Sequence, residues 1–349
     1  MNEPRPDPLG VDGFEFVEFA APDAAPLHAL FKRMGFAATA RHRSRNVTLY
    51  RQGDINILVN EAPGSFASRF AAEHGPCCTG FALGVADAQQ AFDATIANGA
   101  TSMAEAEGVA VDIPRIEGIG GSILYLADRQ NGSVLDQEYE LIEGADPRPQ
   151  GFGLGFVDHL THNVYHGNMD EWADYYRRLF GFYEVRYFDI KGQQTGLTSR
   201  AMTSPTGAIS IPINESSNPK SQINEYLDLY KGEGVQHIAL YTENIYETVE
   251  AMHEAGIAFL DTPDTYYEII DRRIPKHGED LERMQKNRIL IDADEETREK
   301  LLLQIFTQTN IGPIFFEIIQ RKGNKGFGEG NFTALFESIE LDQMRRGVL

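Results

Sequence analysis

The segment GFVDHLTHNVYHGNMDEWADYYRRLFGFYEVRYFDI, residues 155–190, decides the fold because its pattern occurs twice in the chain. A strand-like run is followed by an amphipathic helical pattern, a Gly-Phe pair and further alternating segments. Residues 13–61, GFEFVEFAAPDAAPLHALFKRMGFAATARHRSRNVTLYRQGDINILVNE, have the same order, with LFKRMGF in the place of YYRRLFGF. The two segments therefore predict two copies of one structural unit.

A second pair of similar segments indicates two more units. GFALGVADAQQAFDATIANGAT, residues 80–101, matches HIALYTENIYETVEAMHEAGIAFLDTP, residues 237–263. Each segment predicts a strand, a polar turn and a helix. The predicted helix caps are Asp87 and Asn244 at the starts and Gly99 and Gly256 at the ends.

The Pro- and Gly-rich segment GADPRPQG, residues 144–151, separates the two pairs and is the predicted linker. We therefore predict an N-terminal domain over residues 1–146 and a C-terminal domain over residues 151–349. The predicted fold class is α+β, with two related domains that each have a curved, mostly antiparallel sheet covered by helices on its outer face.

Charge and cysteine content exclude several classes of partner and site. The chain has 31 Lys and Arg against 52 Asp and Glu, a net charge of 31 − 52 = −21, which disfavours nucleic acids and anionic membranes as partners. No apolar run approaches the roughly 18 residues of a membrane span. Cys77 and Cys78 are adjacent, so we expect no disulfide framework. With no signal-peptide pattern at the N-terminus, we expect a soluble, cytoplasmic protein.

The strand that opens the C-terminal domain carries polar side chains on one face. Alternation places His159, Thr161 and Asn163 together, with His162 on the opposite face. For any single histidine, a hydrogen-bonded structural residue is the more common explanation.

The internal repeats favour a more specific role. Alignment of the repeats on their glycines sets His159 against Val17, and the second pair sets His237 against Gly80. Residues that only stabilised the shared unit would be alike in both halves. The comparison therefore points to a ligand that the second half binds and the first half does not.

Glu317 is the third candidate, in the segment GPIFFEIIQR, residues 312–321. A carboxylate in a strand that is apolar on both faces needs a positive partner, because burial of an unpaired charge costs several kcal/mol. Arg321 shares its face but lies about 13 Å away along an extended strand. A metal ion is the simpler counter-charge. Two imidazoles and one carboxylate match the facial triad of non-heme Fe(II) oxygenases, although zinc accepts the same ligands.

The motifs that carry these residues resemble a known family. VDHLTHNV, GVQHIAL, LLLQIFT, PIFFEIIQR and GEGNFTALFESIE, in this order, are similar to 4-hydroxyphenylpyruvate dioxygenases. The resemblance implies the vicinal-oxygen-chelate fold of paired βαβββ modules, a non-catalytic N-terminal domain and a catalytic C-terminal domain with a lid helix. It implies one Fe(II) per subunit, held by His159, His237 and Glu317.

The same resemblance implies an activity and its setting. Such an enzyme converts 4-hydroxyphenylpyruvate and O2 to homogentisate and CO2 in the breakdown of tyrosine and phenylalanine. Family members commonly self-associate, so we expect a homo-oligomer, a dimer or a tetramer.

A substrate pocket is predicted partly from pattern and partly from the resemblance. Folding a hairpin about SPTG, residues 204–207, sets Ser199 opposite Pro212 and near Asn214. In LLLQIFT, Gln304 and Phe306 share a face, and a buried Gln304 amide needs a polar partner that a ligand can provide. The resemblance implies pocket positions for Ser199, Asn214 and Gln222, with Phe315 and Phe332 on either side of the substrate ring and Phe336 on the lid helix. We expect catalytic roles for Ser199, Asn214 and Gln304, and substrate binding by Gln222, Phe315, Phe332 and Phe336.

Three alternatives remain at this stage. A hydroxymandelate synthase uses the same metal and substrate but oxidises the benzylic carbon, and Pro212, Asn214 and Phe332 favour the dioxygenase pattern. An extradiol ring-cleaving dioxygenase shares the fold and ligands but lacks the lid motif NFTALFESIE. A ligand-binding protein of the same superfamily would not need His159, His237 and Glu317 together.

Overall fold

The computed structural model describes residues 7–128, 132–191, 196–294 and 296–331, and within these the strands form two eight-stranded sheets. The strands of the first sheet are β1 (Gly13–Ala20), β2 (Ala37–His42), β3 (Val47–Gln52), β4 (Ile55–Asn60), β5 (Cys77–Val85), β6 (Arg115–Glu117), β7 (Ile123–Asp128) and β8 (Tyr139–Leu141). Those of the second are β9 (Leu154–Asn163), β10 (Tyr183–Lys191), β11 (Gly196–Thr203), β12 (Ser210–Glu215), β13 (Gly234–Thr242), β14 (Leu290–Ala293), β15 (Leu301–Phe306) and β16 (Phe315–Lys322).

Helices connect the strands and cover the sheets. They are α1 (Ala25–Arg33), α2 (Phe66–His74), α3 (Ala88–Ala97), α4 (Val134–Glu138), α5 (Met169–Phe180), α6 (Gln222–Tyr230), α7 (Ile245–Glu254), α8 (Asp264–Glu268), α9 (Ile270–Arg273) and α10 (Leu281–Lys286), with a 3₁₀ turn at Ile119–Gly121. The four helices that the repeats predict are α1, α3, α5 and α7, and each follows the first strand of its unit. None of the described helices is long and apolar enough to cross a membrane.

The two sheets share one topology in seven of their eight strands; the eighth lies at opposite ends, β8 beside β2 and β14 beside β15. The strand order is β6-β7-β5-β1-β4-β3-β2-β8 in the first sheet and β10-β11-β12-β9-β13-β16-β15-β14 in the second. In each sheet the opening strand is parallel to the fourth strand and antiparallel to the fifth, as β9 is to β12 and β13. The predicted α+β fold of two related, mostly antiparallel sheets is confirmed.

The ends of α3 and α7 also form as predicted. The Asp87 side chain accepts a hydrogen bond from the Gln90 amide, and the Asn244 side chain accepts one from the Glu247 amide. Gly99 and Gly256 follow the two helices at φ +86° and +82°, a conformation that costs glycine little. These local signals fix where each helix begins and ends.

One continuous apolar core joins the helices to the outer faces of both sheets. Phe316 on β16 lies with its ring centroid 6.5 Å from that of Phe19 on β1 and 6.4 Å from that of Phe31 on α1. Because odd positions of β15 and even positions of β16 face this core, Gln304 and Glu317 face the opposite, concave side of the second sheet.

The hairpin of β11 and β12 forms in a different register from the predicted one. Ser199 lies opposite Asn214, and Pro212 lies opposite Ala201. The prediction took residues 204–207 as the whole loop, but the pair that closes the loop is Ser204 and Ile209, whose backbone groups are hydrogen-bonded at 2.9 Å. The four-residue loop thus lies one residue later, at 205–208, and every pairing in the hairpin shifts by two.

Candidate metal centre

The concave face of the second sheet brings together polar and aromatic side chains from six adjacent strands. In strand order these are Ser199 on β11, Asn214 on β12, His159, Thr161 and Asn163 on β9, His237 on β13, Phe315 and Glu317 on β16, and Gln304 and Phe306 on β15. His162 points the other way, as alternation predicts, and its Nε2 lies 2.7 Å from the Tyr176 hydroxyl oxygen on α5.

The three predicted metal ligands converge at the centre of this face. Glu317 Oε2 lies 3.3 Å from His159 Nε2 and 3.4 Å from His237 Nε2. Among the described residues, His159, His237 and Glu317 form a group whose ligand atoms all lie within 4.8 Å of one another, and all three residues are buried. The arrangement supplies two imidazole nitrogens and one carboxylate from three neighbouring strands.

Space for an ion comes from a small residue between the ligands. Ala239 on β13 pairs with His159 on one side and with Glu317 on the other, so the three residues form one row across the sheet. Its methyl group leaves the gap between them open, and His237 reaches in from the next row. A larger side chain at position 239 would fill the position that the three ligand atoms share.

The outer nitrogen of each histidine has a partner on the preceding residue. Asp158 Oδ1 accepts a hydrogen bond from His159 Nδ1 at 2.8 Å, and Gln236 Oε1 lies 3.0 Å from His237 Nδ1. A hydrogen bond from Nδ1–H leaves Nε2 unprotonated in the neutral ring, which is the form that binds a metal. Each imidazole is therefore held with Nε2 directed at Glu317.

Both partner residues sit at β-bulges. The pairing of β9 with β13 skips one residue between Val157 and His159 and another between Val235 and His237. The skipped residues are Asp158 and Gln236. Simple alternation directs Gln236 away from the site, and sequence reasoning left it out for that reason; Asp158 was missed in the same way. A bulge re-aims the extra side chain, and bulges occur next to active sites for that reason.

The charges of the three ligands suit a cation. Burial raises the pKa of Glu317, but the two neighbouring imidazoles outweigh it and lower that pKa to about 2. Burial lowers the pKa of His237 below its ordinary value. For His159, burial lowers the pKa, but the Glu317 and Asp158 carboxylates outweigh it and raise the pKa to about 9. A metal that binds here displaces that one proton.

A second observation on Glu317 fits a metal. Its Oε1 atom is buried and has no hydrogen-bond partner among the residues that the structure describes. Buried carboxylate oxygens are rarely left unpaired, and a cation coordinated by Oε2 would compensate for this one. The donor set and this oxygen therefore fit a divalent ion of the first transition row.

Amides and a hydroxyl line one side of the centre. Asn214 Nδ2 donates to Asn163 Oδ1 at 3.3 Å, and Ser199 pairs with Asn214 across the hairpin. Asn163 Nδ2 has no partner in the described part of the chain. This wall offers hydrogen-bonding groups to a polar ligand, and Asn163 is one that sequence reasoning did not single out.

The opposite side combines an amide with aromatic rings. Gln304 is buried, and its Oε1 has no partner within the described ranges. Phe315 stacks on the His237 ring at a centroid distance of 4.9 Å and an interplanar angle of 21°. Phe306 meets Phe315 edge-on at 6.0 Å. One wall of the site is thus suited to an aromatic ring next to the metal ligands.

Comparisons with known proteins agree with this geometry. The family description "Hydroxyphenylpyruvate dioxygenase, HPPD, N-terminal" matches residues 6–140, and that of the "Glyoxalase/Bleomycin resistance protein/Dioxygenase superfamily" matches residues 156–268. A 4-hydroxyphenylpyruvate dioxygenase of Pseudomonas aeruginosa strain PAO1 is 53% identical over 98% of this chain and 97% of its own length. The chain belongs to the 4-hydroxyphenylpyruvate dioxygenase family.

Two further relatives extend this comparison. Hemolysin VllY of Vibrio vulnificus is 54% identical over 98% of this chain and 98% of its own length. A solved xylose isomerase-like TIM barrel/4-hydroxyphenylpyruvate dioxygenase fusion protein superposes with a TM-score of 0.81 at 32% identity. The superposition covers 97% of this chain and 54% of that one, so this chain spans about half of the fusion protein.

Not every residue expected from the dioxygenase family lies at the centre. Gln222 is the first residue of α6 and is exposed, and no hydrogen bond within the described part of the chain joins it to the residues above. Phe332 and Phe336 lie outside the described residues. Their roles, and that of Gln222, stay predictions.

Within the described ranges, the first sheet of this dioxygenase-family chain has no equivalent ligand set. The row formed by His159, Ala239 and Glu317 corresponds, strand by strand, to Phe16, Ala82 and Tyr125. The predicted match of His159 with Val17 is therefore wrong by one residue: both strands have a register shift just before this position, and β9 has one more, between the pairs Leu240–Val157 and Thr242–Leu154. The match of His237 with Gly80 holds, since Gly80 pairs with Glu18 as His237 pairs with Thr161.

Proposed function

We propose that this chain binds one Fe(II) through His159, His237 and Glu317 and converts 4-hydroxyphenylpyruvate and O2 to homogentisate and CO2. The observation that carries the proposal is the buried two-histidine, one-carboxylate group on three neighbouring strands of the second sheet. Family membership supports the reaction, and the donor set supports iron, since such a triad leaves three adjacent positions for other ligands.

A bound Fe(II) would supply the electrons that activate O2 and the coordination positions that a 2-keto acid can chelate. The protein would supply orientation and exclusion of water. Asp158 and Gln236 hold the two imidazoles in one tautomer, so the ligand set is preorganised before substrate arrives. Because the substrate carries its own keto acid, no second organic acid is needed.

The two walls of the site are proposed to bind different parts of this substrate. Phe315, with Phe332 from the C-terminal segment, is proposed to hold the aromatic ring by offset stacking. Gln304, Asn214 and Ser199, with Gln222, are proposed to bind its polar groups. The unpartnered oxygen of Gln304 supports this assignment, because a buried amide oxygen gains most from a ligand that donates to it.

The first sheet is proposed to be non-catalytic. Phe16, Gly80 and Tyr125 occupy the corresponding positions: the first two have no ligand atom, and the Tyr125 hydroxyl donates to Glu18 at 2.8 Å. We further propose a cytoplasmic location and self-association into a dimer or tetramer, which rest on the family likeness and on the free state of Cys77 and Cys78.

The test is oxygen uptake by Fe(II)-reconstituted protein with 4-hydroxyphenylpyruvate, with the aromatic product identified by mass and retention time. We expect homogentisate, and its loss in His159→Ala but not in His253→Ala, which changes an exposed histidine. 4-Hydroxymandelate as the product would refute the ring hydroxylation, and iron binding without oxygen uptake would refute the substrate. Absence of iron binding would refute the metal centre itself.

A further inference from the structure

Arg321 connects the metal centre to the turn that leads into the C-terminal segment. Its Nε and one terminal nitrogen donate to the two carboxylate oxygens of Asp158, each at 2.7 Å. The same carboxylate accepts the hydrogen bond from His159 Nδ1. Arg321 is therefore connected to a predicted metal ligand through one intermediate residue, Asp158. It does not pair with Glu317, in agreement with the long distance along the strand that we expected between the two.

The other terminal nitrogen of Arg321 binds the chain that follows β16. It donates to the carbonyl oxygen of Gly326 at 2.7 Å and to that of Asn324 at 3.2 Å. The guanidinium carbon lies 5.9 Å from the ring centroid of Phe327. Four donor contacts on one planar group define its position closely, since the guanidinium fork is rigid.

Phe327 contacts both the Arg321 guanidinium and the His159 ring. The two rings meet edge to face with centroids 5.4 Å apart and an interplanar angle of 84°. His159 is thus fixed from two directions, through Asp158 at Nδ1 and through Phe327 at the ring, and Arg321 holds both partners. Among the described residues, no comparable arginine contacts Gln236, which orients His237.

We propose that Arg321 is a positioning residue for the metal centre: it holds the Asp158 carboxylate and the 324–327 turn together, and so fixes the orientation of the His159 imidazole. The proposal rests on the proposed metal-binding role of His159. Outer partners of metal ligands typically change metal affinity 10- to 100-fold when they are removed. Loss of Arg321 should therefore weaken metal binding although Arg321 touches no metal.

The test compares Arg321→Met and Arg321→Lys with Arg283→Met as a matched control. Arg283 also forms a two-bond pair with a carboxylate, Glu250, at 2.8 Å for each bond, but on the surface and away from the centre. Co(II) is the probe: its dissociation constant is measured by competition with a chromophoric chelator, and its visible spectrum reports ligand orientation. Hydrogen exchange of the peptide that covers residues 323–331 is followed in parallel.

We expect Arg321→Met to bind Co(II) about 10- to 100-fold more weakly, with an altered spectrum and faster exchange in the turn. Arg321→Lys should recover part of the affinity, and Arg283→Met should stay within about twofold of wild type. If Arg321→Met is misfolded, the double variant Asp158→Asn, Arg321→Met removes the unpaired buried carboxylate, and the same loss of affinity is expected.

The outcomes separate this inference from the proposed function. Wild-type protein that binds Co(II), together with Arg321 variants of unchanged affinity and spectrum, would overturn the positioning role alone. A lowered melting temperature of the metal-free Arg321 variants with unchanged affinity would show a purely structural role and would overturn it as well. Wild-type protein that binds no Co(II) would overturn the metal centre, and the positioning role with it.

Discussion

Gly328→Ala tests whether the Gln304 amide is placed for substrate. Gly328 lies against Gln304 at φ +80°, and a Cβ atom on it would stand 2.2 Å from Gln304 Oε1 and 2.6 Å from Nε2. Ordinary contact begins at 3.4 Å, so the amide must retreat by about 3.4 − 2.2 = 1.2 Å. A displacement of about 1 Å at a group that orients substrate can cost on the order of 100-fold in rate.

Gly256→Ala is the matched control. Gly256 has nearly the same conformation, φ +82°, but a Cβ atom there has open space around it among the described residues. Alanine in the left-handed region costs about 1–2 kcal/mol at either position, so both variants should lose similar stability. The comparison therefore isolates the contact with Gln304 from the backbone cost.

Steady-state oxygen uptake and urea unfolding measure the two effects separately. We expect kcat/KM for 4-hydroxyphenylpyruvate to fall about 10- to 100-fold in Gly328→Ala and to stay within about twofold of wild type in Gly256→Ala. Metal affinity is measured in parallel, because Gly328 directly follows Phe327, whose ring contacts His159, and the loss in kcat/KM is compared at saturating metal. A folded Gly328→Ala protein whose kcat/KM equals that of Gly256→Ala would refute the role of Gln304 in substrate binding.

Three other predictions follow from buried polar groups. Glu317→Gln should lose the stabilisation by metal, which for wild type is about 2.7 kcal/mol at 100 times the dissociation constant, and a melting-temperature series with Co(II) measures it. Burial lowers the pKa of His162 from 6.5 to about 3, so below pH 6.5 the unfolded chain binds more protons than the folded one. Wild type should therefore lose about 2 kcal/mol of unfolding free energy between pH 7 and pH 5, and His162→Gln should not. Equal shifts of the urea midpoint in the two proteins would contradict this. Tyr125→Phe removes the 2.8 Å hydrogen bond to Glu18 and should cost about 1–3 kcal/mol of unfolding free energy. Co(II) binding should not change. A loss of Co(II) binding would show that the first sheet supports the centre directly.

The repeats in the sequence were sufficient to predict the order of strands and helices in the two related halves. Strand and helix patterns recur in the same order, and the four helices and the capping residues Asp87 and Asn244 formed where the pattern predicted them. Alternation also separated His159 from His162 correctly. These features depend on local periodicity and on short-range hydrogen bonds, which a single sequence contains.

Register and orientation could not be predicted in the same way. A β-bulge inserts one residue without a characteristic sequence, so the bulges at Asp158 and Gln236 and the shift in β1 were not visible. The signal that was available for Asp158 is indirect: Arg321, on a largely apolar strand and without a reachable carboxylate on it, implies an acidic partner on another strand. Which acidic residue is the partner becomes known only when the strands are placed side by side in the structure.

The comparison of the two sheets explains why only one of them holds a candidate centre. At the positions of Thr161 and Glu317, the first sheet has Glu18 and Tyr125, whose side chains bond each other, and Asn60 adds a hydrogen bond of 2.7 Å to Glu18. Burial raises the pKa of Glu18, so this carboxyl is satisfied by neutral donors and needs no cation.

Restoring a ligand set in the first sheet would also meet a steric barrier. A Cβ atom on Gly80, the counterpart of His237, would stand 2.5 Å from the backbone oxygen of Ile123. Both sheets have a bulge at the preceding residue, Thr79 in the first and Gln236 in the second, so the bulge itself does not decide which sheet accommodates an imidazole. Since the two sheets share this strand geometry, the side chains at the three positions, Phe16, Gly80 and Tyr125 in the first sheet, distinguish them.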